Sequence, residues 1–241
     1  MSNFVYKEKG HSYELDGKKM TGVTTILGVL GKPMLIPWAA RMTAEWIREN
    51  CGKWAGLDGE DESYDVTEND LIEAVKAHTK KKEAGGEKGK DLHSEVEEYI
   101  KKCLSDTDGK PFLANPGYSK GAEAFIGWAT TNNIKFLSSE TPIYSKELFV
   151  AGTPDFTFEK DGKRFVGDLK THKKIWDRIP HFQTAAYAKM LQEQGENFAG
   201  TCIVNINKET NELTEQWSYA LAEDIEGFEA ALKLYRLLNN Y

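Results

Sequence analysis

The chain has 241 residues, 40% of them hydrophobic and 29% charged, with 38 acidic against 31 basic side chains for a net charge of −7. That length and balance suit one large globular domain or a core with an appendage, without internal repeat or low-complexity tract. No apolar run approaches the roughly 18–20 residues of a membrane helix, Met1-Ser2-Asn3-Phe4-Val5-Tyr6-Lys7 has no signal character, and Cys51, Cys103 and Cys202 are widely spaced. A cytoplasmic, reducing compartment is therefore expected rather than a disulfide scaffold.

Residues 4–20 predict a short hairpin turning at Asp16-Gly17. Thr21–Leu30 starts a helix with Thr24 or Thr25 near its cap, interrupted by Pro33 and Pro37. Trp38–Glu49 is helical, with Trp38, Met42, Trp46 and Ile47 on one side. Trp38 and Trp46 on that stripe are expected in a core; Trp54, among small residues, is the better candidate for stacking on an unpaired base. Residues 52–65, rich in glycine and acids, read as a loop. Thr67 then caps a helix carrying Leu71, Val75 and His78, which Gly85-Gly86 should break.

A further amphipathic helix places Leu92, Val96, Tyr99, Ile100 and Cys103 at helical spacing. His93 borders this stripe and Glu97 lies one turn along. A neutral imidazole there can complete a metal site begun by carboxylates, although a histidine beside an apolar stripe is more often simply packed. Asn115-Pro116-Gly117 predicts a turn, residues 118–132 a helix, and residues 134–150 strands.

Gly152-Thr153-Pro154-Asp155 leads into Phe156-Thr157-Phe158, turns at Asp161-Gly162, and returns through Phe165-Val166 to Gly167-Asp168-Leu169-Lys170. Alternating aromatics around Asp-Gly predict a β-hairpin. Asp168 and Lys170 share a strand face, and the hairpin brings Asp155 alongside. Two carboxylates and a lysine at a strand end suit a Mg²⁺-dependent phosphodiesterase, the acids holding a hard cation and the ammonium facing the phosphate or the attacking water. Either half alone would more often be a solvated strand edge than a site, and the plain alternative for both is a surface hairpin with a weak cross-strand ion pair. Beyond Pro180 a helix puts Gln183 and Tyr187 four residues apart on one face, where an amide and a phenol can hold a phosphate or base edge. By itself that pair would read as a core tyrosine and a solvent-facing glutamine. A strand over 201–206, its return over 215–219 and a closing helix over 222–239 complete the chain.

In this order, His93, Pro154-Asp155, Asp168-Leu169-Lys170 and Gln183-x-x-x-Tyr187 resemble the PD-(D/E)XK nuclease superfamily, and within it the RecB-type branch marked by the Q-x-x-x-Y helix, to which phage and prophage exonucleases belong. The motifs span roughly residues 85–195; Val23-Thr24-Thr25-Ile26-Leu27 and Trp38-Ala39 are more weakly similar to the opening of phage-type members.

The resemblance implies an α+β fold, a restriction-endonuclease-like mixed sheet flanked by helices on an αβββαβ core (residues 85–241), with a hairpin and helical region (residues 1–84) packed on it. It implies a metal-dependent DNA exonuclease of phage or bacterial recombination or repair. One or two Mg²⁺ or Mn²⁺ ions would be held by Asp155, Asp168, the Leu169 carbonyl and His93. Lys170 would be the catalytic lysine, and Gln183 and Tyr187 would contact the substrate strand. Glu140 stands where many members carry an acid before the hairpin, and is equally readable as a solvent-facing strand residue. The implied partners are DNA, as single strands or duplex ends, and a recombination partner protein, in a bacterial or phage-infected cytoplasm with no membrane. Some RecB-type nucleases hold an iron–sulfur cluster on four cysteines; with three and no C-x-x-C, none is expected here. A structure-selective endonuclease on the same fold and a non-catalytic nucleic-acid-binding protein are the alternatives. The motifs do not discriminate polarity, strand number, DNA from RNA, metal or oligomeric state.

A net charge of −7 is unusual for broad duplex coverage. Two basic clusters, Lys80-Lys81-Lys82 with Lys88 and Lys90, and Lys173-Lys174 with Arg178, are expected to flank the site and guide the backbone. Their simpler reading is solvated helix ends and loops.

Overall fold

The computed structural model describes residues 3–31, 35–55, 62–112 and 117–239. Pro33 and Asn115-Pro116, and the side chains of Trp54, Lys82, Lys88 and Lys90, lie outside the described residues. The fold is of the α+β class and divides into two compact units, Met1–Leu30 with Asp91–Tyr241, and Gly31–Lys90. Among the described residues no helix is long and apolar enough to cross a membrane.

The larger unit opens in strands: β1 (Phe4–Lys7), β2 (Ser12–Leu15) and β3 (Lys18–Gly22) form an antiparallel meander. The hairpin expected at Asp16-Gly17 is there, with φ of 50° and 77° as a type I′ turn requires, and a third strand precedes it. Helix α1 (Val23–Leu27) and one 3₁₀ turn follow. Its N-cap is Gly22, with no side-chain cap; Thr24 and Thr25, expected near the cap, fall inside the helix.

The second part of this unit begins within helix α3 (Glu68–Asp106), followed by α4 (Lys120–Thr131), whose N-cap Ser119 accepts from the Ala122 N–H. Strands β6 (Lys135–Ser139), β7 (Ile143–Ser145), β8 (Val150–Gly152), β9 (Phe156–Lys160) and β10 (Lys163–Lys170) precede helix α5 (Ile179–Gln192). Strands β11 (Gly200–Ile206) and β12 (Leu213–Ser218) and helix α6 (Leu221–Leu238) end it. The main sheet runs β12-β11-β10-β9-β6. Its β9–β10 hairpin turns at Asp161-Gly162, both with positive φ, and β10 pairs parallel with β11 through α5. A second sheet runs β1-β2-β3-β8-β7, joined by parallel pairing of Thr21 and Gly22 with Val150 and Ala151.

Strand alternation sorts the main sheet into two cores. Phe156, Phe158, Phe165, Leu169, Cys202, Val204 and Ile206 pack beneath α3 and α4 against Val96, Tyr99, Ile100 and Phe125. On the other side Val166 meets Ala186, Tyr187 and Met190 of α5 and Phe228 of α6. Asp168 and Lys170, being of Val166's parity, face α5. Cys103 and Cys202 are buried, whereas Cys51 is only half-buried.

In the smaller unit, α2 (Leu35–Asn50) buries Met42, and Trp38 and Trp46 are half-buried. The segment expected as a loop forms a hairpin, β4 (Gly52–Ala55) with β5 (Glu62–Asp65). Thr67 caps α3 as expected: its hydroxyl accepts from the Asp70 N–H at 3.2 Å, while Asp70 accepts from the Thr67 N–H at 2.9 Å. The break expected at Gly85-Gly86 does not occur, and α3 is continuous through both glycines. Each glycine costs about 1 kcal/mol in a helix, and the surrounding run of lysine, glutamate and alanine outweighs that.

Candidate active site

The site forms where β10 ends, beside α5. Asp168 is buried, and burial followed by the neighbouring Asp155 charge raises its pKa to about 6, against the lowering pull of Lys170. Lys170 Nζ lies 2.7 Å from Asp168 Oδ1 in a hydrogen bond and 2.6 Å from Oδ2. Oδ2 is off the hydrogen-bond direction, so its contact is one of charge only, and it is a buried carboxylate oxygen without a hydrogen bond. Burial disfavours the Lys170 ammonium, yet the Asp168 and Asp155 charges together outweigh it and raise the lysine's pKa.

Asp155, one residue before β9, turns its Oδ2 to the Leu169 N–H at 2.7 Å. Burial raises its pKa, and the Lys170 charge and that hydrogen bond only partly offset the rise. His93 on α3 stands with Nδ1 3.8 Å from Asp155 Oδ2. Burial lowers the pKa of His93 and favours the neutral imidazole, despite the opposing Asp168 charge. Glu140 is half-buried with φ of 44°, and its N–H donates to the Asp155 carbonyl at 3.1 Å. Burial and then the charges of Asp155 and Glu97 push its carboxyl up to about 8.

Gln183 closes the site from α5. Its amide nitrogen donates to Asp168 Oδ1 at 3.2 Å and to the Tyr187 hydroxyl at 3.2 Å, and its oxygen accepts from Lys170 at 3.4 Å. Tyr187 is 3% exposed, and its ring lies so close to Gly152 that a Cβ there would come within 2.4 Å of Cε1. Tyr187 thus meets Asp168 and Lys170 through Gln183. All eight residues expected from the sequence, with Leu169 included through its backbone, fall in this one region.

Two supports had no sequence signal, because both are long-range contacts. The Tyr13 hydroxyl meets Thr153 Oγ1 at 3.0 Å, tying β2 to the turn before Asp155. Asn205, register partner of Lys170, holds the following backbone at His172. Of the expected basic clusters, Lys80 is paired with Glu73 at 2.6 Å and Arg178 with Asp224 at 2.6 Å.

The donor set fits a hard divalent cation in its chemistry. Asp168, buried, and Asp155, half-buried, both keep raised pKa values, which marks negative charge that Lys170 alone does not compensate. Among the described residues, no three His, Cys, Asp or Glu side chains converge closely enough to hold an ion as they stand.

No protein-family profile matches this chain, and no curated protein does. Among solved structures the chain is similar to SSO0001, at 14% identity and a TM-score of 0.28, over 46% of this chain and 56% of that one. The match thus spans little more than half of that protein's length, and at this TM-score it carries no argument.

Proposed function

We propose that this chain is a divalent-metal-dependent nuclease that hydrolyses DNA phosphodiester bonds, working from an end. The observation that carries the reading is the contact cluster of buried Asp168 with half-buried Asp155, Lys170 and Gln183 at one strand end. Asp168 is buried, while Asp155 and Lys170 keep 20% and 21% of their side-chain surface exposed; taking such charges even partly out of water costs free energy before pairing returns any of it. Charged groups gathered and desolvated in this way, with both carboxyls held at raised pKa values, are a recurrent mark of a functional site. Asp155, Asp168, the Leu169 carbonyl and His93 would hold the Mg²⁺ or Mn²⁺, which when bound supplies Lewis acidity at the phosphate and lowers the pKa of water.

The side chains do the rest. Lys170 offers three N–H donors, of which Asp168 and Gln183 engage two, leaving one for the attacking water or a non-bridging phosphate oxygen. Gln183 bridges lysine and aspartate, so both keep one geometry as substrate enters. Tyr187 fixes Gln183 in turn. End-dependence is taken from the resemblance to phage-type exonucleases.

The test is cleavage of end-labelled linear single-stranded and duplex DNA beside a covalently closed circle, with Mg²⁺, with Mn²⁺ and with EDTA, for the native protein and Lys170→Ala. Metal-dependent loss of the linear substrates alone, absent in the variant, is the expected result. Cutting of the circle would make the protein an endonuclease. Absence of any cleavage would leave a nucleic-acid-binding protein.

A further inference from the structure

The loop between β10 and α5, residues 171–178, is fixed along its length. At its start the Asn205 side chain accepts from the His172 N–H at 2.9 Å and donates to the His172 carbonyl at 3.0 Å. Ile175 in its middle is buried. At its end Arg178 pairs at 2.6 Å with the fully buried Asp224, which also accepts from the Ser218 hydroxyl. Asp177 accepts from the Ile179 N–H at 3.0 Å, where α5 begins.

Held this way, the loop exposes Lys173, Lys174 and Trp176 side by side with His172, Asp177 and Arg178; of these last three, Asp177 and Arg178 are tied to the Ile179 N–H and to Asp224. Trp176 is 76% exposed, more than any other Phe, Tyr or Trp among the described residues. Lys174 Nζ stands over its ring, 4.3 Å from the centroid. An ammonium at that distance orients the indole by cation–π attraction and covers one face, leaving the other open. Lys170 and Arg178 spend their charge on Asp168 and Asp224. Lys173 and Lys174 pair with no carboxylate among the described residues.

A pre-oriented indole with one free face, next to two ammonium groups that meet no carboxylate among the described residues, matches an unpaired nucleobase flanked by phosphates. The base stacks on the ring while the phosphates take the lysines. The place also fits. Trp176 follows Lys170 by six residues, at most about 20 Å of extended chain, and precedes Gln183 on α5, so it lies within a few nucleotides of the proposed cleavage point. We propose that Lys173, Lys174 and Trp176 form a binding platform for single-stranded DNA, with Trp176 stacking on an unpaired base of the strand whose phosphate reaches Lys170. DNA as the ligand rests on the nuclease reading above; the platform's geometry does not.

The test separates the two. A fluorescein-labelled oligothymidylate is titrated by anisotropy in EDTA, where nothing is cut, with the native protein, Trp176→Ala and Trp176→Phe; cleavage of the same strand is followed separately in Mg²⁺. Trp176→Ala should weaken binding about tenfold or more, with an unchanged unfolding midpoint because the side chain is exposed. Trp176→Phe, which keeps a π face, should recover most of that loss. Native-like binding by Trp176→Ala, or equal loss in both variants, overturns the platform. If native protein binds, Trp176→Ala does not and neither cuts, the platform stands and the nuclease reading falls. If both cut and bind alike, only the platform falls.

Discussion

Lys170 is the residue on which the site's charge balance turns. Its ammonium is the only cation in contact with Asp168 among the described residues, and Asp155 feels its charge as well. Lys170→Ala should abolish cleavage while leaving Mg²⁺ binding measurable by calorimetry, since the carboxylates remain; near-normal turnover would remove Lys170 from the chemistry. Asp155→Asn should weaken Mg²⁺ binding and cleavage together. Tyr187→Phe keeps the packed ring and deletes the hydroxyl that accepts from Gln183, so cleavage should fall while stability changes by only about 0.5–1.5 kcal/mol. The raised acids also set a pH dependence. Asp168 at about 6 and Glu140 at about 8 hold protons in the folded chain that the unfolded chain releases near pH 4. Their stabilising contribution is complete below about pH 4 and is lost as pH climbs through these folded values. Glu140→Gln should therefore flatten the fall in unfolding midpoint between about pH 5.5 and about pH 8.5, read by differential scanning calorimetry. Added Mg²⁺ should raise the native midpoint more at the upper end of that range. An Mg²⁺ shift of the same size at both ends would mean that the ion binds elsewhere.

Elements differ in how plainly the chain announced them, for physical reasons. The β9–β10 hairpin was readable because Asp161-Gly162 sits at positive φ between alternating aromatics, and α5 because Pro180 lies in its first turn. Gly85-Gly86 misled because two local penalties were set against many favourable neighbours, and the neighbours prevailed. Strands β4 and β5 were missed because Gly52 and the acids around them obscure a short pairing. The site motifs were legible since each occupies a few consecutive residues. Their supports were not: Tyr13 reaches Thr153 across 140 positions. Helix α5 and β8 are also coupled at Gly152, where only the absence of a side chain admits the Tyr187 ring. Gly152→Ala should lower stability by about 1–3 kcal/mol and, by displacing Tyr187 and so Gln183, reduce cleavage as well. A loss of stability with native cleavage would uncouple Tyr187 from the chemistry.

At the scale of the molecule, a net charge of −7 opposes a polyanion, so attraction has to be local. If Lys173 and Lys174 supply it, the logarithm of DNA affinity should fall with the logarithm of salt concentration. The double substitution Lys173→Gln/Lys174→Gln should reduce that slope by about 1.4, measured by anisotropy across a salt series; an unchanged slope would place the phosphate contacts elsewhere. The larger unit is also discontinuous in sequence, with residues 1–30 separated from 91–241 by the whole smaller unit. Strand β3 finds its parallel partner only when Val150 and Ala151 are available. On a ribosome adding roughly 5–20 residues per second, the wait is on the order of ten seconds. Throughout it the N-terminal meander has an unpaired edge, and Met20 and Tyr13 lack the Ala151 they pack against. The inserted unit is fully synthesised first, and the nascent first strands are the natural place for a chaperone to bind.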